Sequence, residues 1–260
     1  MTGSPSVFGS EMAKWKAEQA SPWATLKYDL VRANLAKHLG ASGGRVLDAG
    51  GGNGLDSILL ARQGFTVDIV DTSPEMLAEA AANAAAANVA ERVTVHQADV
   101  AESPALFGGQ PFDVVLCHNV MQYVADLPAV LSGLAGLLKS GGVLSLVSVN
   151  RYSIPYKTLF FQDNLEQAIE QIGARSVKAY LFDVTMRCYA VEEARSLVEQ
   201  AGLVVEADYG IRCVSDYWGD NEQKADPSVF AQVERLEAAL TEKHPYKLLA
   251  RFFQVMARQP

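Results

Sequence analysis

The sequence predicts a doubly wound α/β fold, a mostly parallel sheet of seven strands with helices on its faces and an inserted cap. Three observations predict it. Apolar β-branched runs alternate with helix-period stretches from Arg45 to Val149, the pattern of repeated βαβ units. A glycine-rich turn follows directly on the first of these strands. The length of 260 residues with 49% apolar content suits one α/β domain with an insertion, and no apolar run approaches the ~20 residues of a membrane span.

Taken in order, residues 1–44 form an N-terminal helical segment. Leu26, Leu30 and Ala33 fall on one helical stripe there, with Val31, Leu35 and Leu39 beside it. The ligand-binding core spans 45–149, with strands expected at 45–49, 66–71, 93–98, 112–118 and 143–149 and helices at 54–63, 74–88 and 126–139. Thr72-Ser73-Pro74-Glu75 predicts a capping box and a first-turn proline for the second of these helices. Gly64, and Gly141 with Gly142, supply helix stops. From 150 to 190 the rhythm lapses, and the stretch holds Tyr152, Tyr156, Phe160, Phe161, Tyr180, Phe182 and Tyr189, which predicts a cap over the C-terminal edge of the sheet. Residues 191–260 return to the same sheet domain through a helix at 191–201, strands at 203–209 and 247–257, and a helix near 227–243.

A net charge of -8 excludes a protein that coats nucleic acid through a broad basic face. The acidic excess is confined to Val191–Glu242, with 12 acidic and 4 basic residues. The remainder is neutral, so a local anion-binding mouth stays open. Met1 to Ser10 lack the basic start and apolar stretch of a secretory signal, so a cytoplasmic protein is expected. Cys117, Cys188 and Cys213 show neither metal-ligand nor disulfide spacing and read as small buried hydrophobes in a reducing compartment. His38, His96 and His244 have no partner spacing, so no metal is expected.

The stretch Arg45-Val46-Leu47-Asp48-Ala49-Gly50-Gly51-Gly52-Asn53-Gly54 runs from a buried strand into a glycine turn and then a helix. Glycines there allow a ligand to approach the backbone, and the helix N-terminus behind them suits a carboxylate. A dinucleotide fingerprint requires G-x-G-x-x-G, and this segment fails it: from Gly50 the third site is Leu55, and from Gly52 it is Ser57. Asp71 ends the second strand, where a carboxylate can accept both ribose hydroxyls, with Thr72 and Met76 following. Asp99 ends the third strand between Ala98 and Val100, a place from which side chain and backbone can bracket an adenine amino group. Each aspartate taken singly also reads as a loop or capping residue.

The ordered set Leu47-Asp48-Ala49-Gly50-Gly51-Gly52, Asp71, Asp99, Phe112-Asp113 and Leu138-Lys139-Ser140-Gly141-Gly142 resembles the class I S-adenosylmethionine-dependent methyltransferase family, with its Rossmann-like sheet. The resemblance implies S-adenosylmethionine as cofactor, with Lys27, Asp48, Gly50, Gly51, Gly52, Asp71, Thr72, Met76, Ala98, Asp99, Val100 and His118 as its expected binding set. Over most of the chain the sequence is similar to the bacterial tRNA 5-carboxymethoxyuridine methyltransferase family. The similarity rests on His118 with Val124-Ala125-Asp126, Gly142 to Leu146 with Asn150, Gly210-Ile211-Arg212 with Asp216-Tyr217, and the ending Pro245-Tyr246 to Ala257-Arg258. It implies methylation of a carboxylate on a tRNA wobble uridine. Two features depart from that family: Lys27 stands nearest to where it has a cofactor-contacting arginine, and 151–190 lacks its lysine-rich run.

Methyl transfer is an in-line displacement at an activated carbon, so alignment and exclusion of water matter most. A carboxylate acceptor needs no base, whereas an alcohol or amine gains from one. His118, Tyr123 and Arg212 are the catalytic candidates. In the resembling family this histidine lies on the cofactor side; Asn119 and Gln122 share its loop, or merely start the next helix. Arg151 and Arg212 can grip a carboxylate or phosphate with two hydrogen bonds. Tyr152, Tyr156 and Tyr189 either stack on a flat ligand or form the core of the cap. The acceptor is therefore tRNA or a small molecule, the latter through O- or N-methylation. A catalytically inactive binding protein on the same fold is the third alternative, and the sequence leaves oligomeric state open.

Overall fold

The computed structural model describes residues 21–40, 43–178 and 185–260. Residues 1–20 and the expected cap aromatics Tyr180 and Phe182 lie outside them. Helix α1 (Pro22–Ala36) comes first. Then follow β1 (Arg45–Ala49), α2 (Ile58–Arg62), β2 (Thr66–Asp71), α3 (Pro74–Ala86), β3 (Val93–Gln97), α4 (Ser103–Phe107), β4 (Phe112–His118), α5 (Leu127–Gly136) and β5 (Leu138–Val149). The 150–190 segment contains α6 (Ile154–Gln162), α7 (Leu165–Glu170) and the antiparallel pair β6 (Ser176–Lys178) and β7 (Thr185–Arg187). The chain ends with α8 (Val191–Gln200), β8 (Val204–Ile211), α9 (Asn221–Lys224), α10 (Pro227–Leu240) and β9 (Phe252–Arg258).

A seven-stranded sheet runs in the order β3-β2-β1-β4-β5-β9-β8. The pairings β1 with β2, β1 with β4, β2 with β3 and β4 with β5 are parallel, so strand order reverses beside β1. That reversal is the switch point at which doubly wound sheets take their ligands. Strand β1 is apolar enough to be covered on both faces, with Val46, Leu47, Asp48 and Ala49 all buried.

By compactness the chain divides into two units. One comprises Leu35–Val147, Glu192–Ala207 and Val255–Pro260; the other comprises residues 21–34, Ser148–Val191 and Asp208–Gln254.

Four expectations are corrected. The helix expected at 54–63 begins only at Ile58, because Gly54 has φ +75°, which a right-handed helix cannot contain. The cap of α3 is a single Ser73 bond: Ser73 Oγ accepts from Met76 N at 3.2 Å, while Glu75 lies one residue too early for a capping box and accepts the Ser73 hydroxyl instead. Leu138 and Lys139 belong to β5, not to the preceding helix, since Leu138 pairs with Phe112 across a register shift. On α1, Ala33 is exposed and Asn34 is buried in its place, its amide donating to Thr241 Oγ1 at 3.1 Å.

Candidate functional site

In the first unit, the backbone N–H groups of Gly50 and Gly51 donate to Val70 O at 2.8 and 3.2 Å, which folds the end of β1 onto β2. A Cβ on Gly50, whose φ is +76°, would lie 2.3 Å from Val120 Cγ2. One on Gly51 would lie 2.4 to 2.9 Å from the Asp48 carboxyl atoms. Glycine is therefore imposed here by the protein's own packing, a stronger constraint than the ligand approach expected from sequence. Because α2 has only five residues, the free helix N-terminus expected behind the turn is replaced by the turns at 55–57.

Asp71 is aimed from both sides. Gly52 N donates to its Oδ2 at 3.0 Å and Ser73 N to its Oδ1 at 2.9 Å, which leaves lone pairs on both oxygens. Burial nevertheless raises its pKa. Met76 reaches the same turn, its Cε 2.8 Å from where a Gly52 Cβ would stand. Ala98 N donates to Asp71 O at 3.1 Å, and Thr72 O accepts from Gln97 Nε2 at 3.5 Å. Asp99 caps a 3-10 turn over Val100–Glu102: its Oδ1 accepts from Ala101 N at 2.9 Å while Glu102 Oε2 accepts from Asp99 N at 2.8 Å.

Asp48 is buried, and its Oδ2 has no hydrogen-bond partner. Burial foremost, then the charge of Asp56, pushes its pKa up to about 7. His118 is buried with both ring nitrogens engaged, Nδ1 2.9 Å from Asp56 Oδ2 and Nε2 2.8 Å from Ser145 Oγ. Both ring nitrogens are thus hydrogen-bonded within the protein. Asp56 and Ser145 were not singled out from sequence, because spacing alone gives no sign that a turn residue and a β5 serine flank the end of β4. Beyond His118, Asn119 has φ +57° and donates from N to Val147 O at 2.7 Å, Gln122 is buried and Tyr123 is exposed.

The donor set is acidic, with Asp48, Asp56 and Asp71 against one histidine. A dinucleotide's pyrophosphate would meet these carboxylates, whereas a sulfonium with an ammonium group matches their charge. The unpartnered Asp48 oxygen and the half-satisfied Asp71 thus fit an adenosyl-sulfonium ligand. Among the described residues no group of His, Cys, Asp and Glu could hold a metal ion, and no helix is long and apolar enough to cross a membrane.

The second unit gathers cations and aromatics. Arg212 adopts φ +62°, unusual for a non-glycine residue, and pairs with Asp216. The buried Glu237 carboxylate accepts from Cys213 N, Val214 N and Ser215 N at 2.5, 3.0 and 2.7 Å and so fixes the loop that follows Arg212. Arg151 N donates to Tyr189 O at 2.9 Å, and its guanidinium lies 5.8 Å from the Tyr152 ring. The Lys27 ammonium sits 4.7 Å from the Tyr28 ring and 5.2 Å from that of Phe252. Tyr152, Tyr156, Phe160 and Phe161 are 37 to 54% exposed, so they do not form the core of their segment. That core is Ile154, Met186 and Cys188 with Val149 and Val177.

Sheet order and glycine turn together match the fold of S-adenosylmethionine-dependent methyltransferases. A family model described as a methyltransferase domain matches residues 41–202. The chain belongs to this methyltransferase family. It is 30% identical to the tRNA 5-carboxymethoxyuridine methyltransferase of Escherichia coli O157:H7, over 99% of this chain and 93% of that protein. It is 37% identical to the ubiquinone biosynthesis O-methyltransferase of Xylella fastidiosa strain 9a5c, over 45% of this chain and 46% of that one. Among solved structures, a methyltransferase of Thermotoga maritima superposes with a TM-score of 0.63 at 17% identity, over 98% of this chain and 99% of that one, which shows the shared fold.

Proposed function

We propose that the protein transfers a methyl group from S-adenosylmethionine to the carboxylate of 5-carboxymethoxyuridine at a tRNA wobble position. The observation that carries this reading is a likeness extending over nearly all of both chains, beyond the shared cofactor-binding half. In it, Asp71 accepts from the ribose hydroxyls, the 98–100 strand end takes the adenine, and Asp48 offers its unpartnered oxygen to the cationic end of the donor. The bound donor supplies a methyl carbon already activated by its sulfonium. A carboxylate acceptor attacks without losing a proton, which agrees with a His118 whose ring nitrogens are both engaged. Incubation with radiolabelled S-adenosylmethionine and bulk tRNA is expected to label the tRNA, and Arg212→Ala to abolish the label. Unlabelled tRNA would overturn the acceptor while leaving the methyltransferase class intact.

A second reading, a metabolite O-methyltransferase, is favoured by the acidic balance of Val191–Glu242 and by the ubiquinone-pathway relative. It predicts transfer to a small molecule in a fractionated extract while bulk tRNA stays unlabelled.

A further inference from the structure

We propose that Arg251, with Arg212 beside it, is a carboxylate-binding subsite for the methyl acceptor. The inference deepens the reading given under Proposed function and rests on its carboxylate acceptor. Arg251 is buried at 9% exposure, yet its one side-chain hydrogen bond among the described residues is Nη1 to Ser153 Oγ at 3.0 Å, and no carboxylate pairs with it. Arg212 spends one nitrogen on Asp216; its buried Nε has no partner, and neither has Asp216 Oδ2. The two guanidinium groups lie 5.4 and 5.7 Å from the Phe252 ring, and Lys27 lies 5.2 Å from the same ring. Lys224, also buried, adds a fourth cation that feels both Arg212 and Asp216. Asp216 is the carboxylate whose charge acts on Arg251, while Lys224 also feels Asp220. The carboxylate of Glu237 is occupied by three backbone N–H groups.

A buried guanidinium whose nearest carboxylate, Asp216, is already hydrogen-bonded to another arginine is costly, and a fold that keeps one has a use for the field it creates. Burial lowers the Arg251 pKa but leaves an arginine charged at neutral pH. What is missing from the cluster is an anion able to take Arg251 and the spare Arg212 nitrogen together. The aromatic surroundings select its class. Tyr217 lies 5.6 Å from Tyr156 and 6.1 Å from Phe160, ring to ring, donates its hydroxyl to Leu249 O and shares the field of Arg251. Exposed ring faces next to a guanidinium suit a planar ring carrying a carboxylate on a short arm better than a hydrated phosphate.

The test uses the full-length protein and three probes: phenoxyacetate, which presents a ring, an ether oxygen and a carboxylate; its neutral amide; and inorganic phosphate. Phenoxyacetate is expected to bind about tenfold or more tightly than the amide, and Arg251→Met to remove that preference. Arg251→Lys should restore part of it. The thermal midpoint of unliganded Arg251→Met should equal or exceed that of the wild type, since a buried charge with no carboxylate hydrogen-bonded to it has been removed. Equal binding of acid and amide by the wild type, an undiminished preference in Arg251→Met, or protection by phosphate alone would each overturn the subsite. Transfer to tRNA is scored separately: labelled tRNA without acid preference refutes the subsite and spares the proposed function, and acid preference without labelled tRNA does the reverse.

Discussion

At the scale of single residues, the acidic cluster around the glycine turn is expected to make donor binding pH-dependent. Asp48 has its pKa raised to about 7, by burial first and then by Asp56. A raised carboxyl pKa means that the folded chain holds a proton the unfolded chain has lost. This contribution to stability is full below about pH 4, the ordinary aspartate value, and disappears as pH rises through 7. Asp48→Asn should therefore match the wild type in denaturant midpoint near pH 4 and exceed it at pH 8. A cationic ligand favours the ionised form, so S-adenosylmethionine should bind more tightly as pH rises through 7, with proton release visible when calorimetry is repeated in buffers of different ionisation enthalpy. Gly50→Ala should cost roughly 2–4 kcal/mol in urea unfolding, from the left-handed φ and the Val120 contact together. That Asp48, Gly50 to Gly52 and Asp71 share one turn was legible because their order and spacing follow the ends of two paired strands. Arg251 was not. It follows a four-residue 3-10 turn, in a stretch that reads as continuous strand, and only the fold shows that it is buried with no carboxylate hydrogen-bonded to it.

At the scale of elements, the strands followed from composition while the helices depended on individual backbone conformations. Strands β1, β2 and β4 occupy the ranges that their apolar runs predict, since both faces of a central parallel strand must be apolar. Helix α2 is short because of one left-handed glycine, whose conformation no periodicity encodes. The cap of α3 is the single Ser73 bond, so Ser73→Ala should cost about 1 kcal/mol in denaturant unfolding. The loop after β8 is held by the three amides on Glu237, so Glu237→Gln should destabilise by roughly 1–3 kcal/mol. It should also weaken phenoxyacetate binding more than donor binding, because this clasp positions Arg212. The small elements between 150 and 190 escaped prediction for a related reason. Their aromatics are half exposed, so no buried stripe marks the helices.

At the scale of the whole molecule, one unit carries the glycine turn and its aspartates, and the other carries the arginines and exposed rings. The proposed function assigns donor and acceptor chemistry to different parts of the chain; the family match spans 41–202, while the likeness to the tRNA enzymes extends over nearly the whole chain. S-adenosylhomocysteine at a hundred times its dissociation constant should stabilise the folded state by about 2.7 kcal/mol, seen as a rise in thermal midpoint, and NAD should give none. The central claim is that the methyl group ends on a carboxylate. It is tested most directly by transferring tritiated methyl to tRNA and treating the product with mild alkali. The account predicts that the label leaves as volatile methanol, as an ester requires; label that stays on the nucleoside as an ether or amine would contradict it.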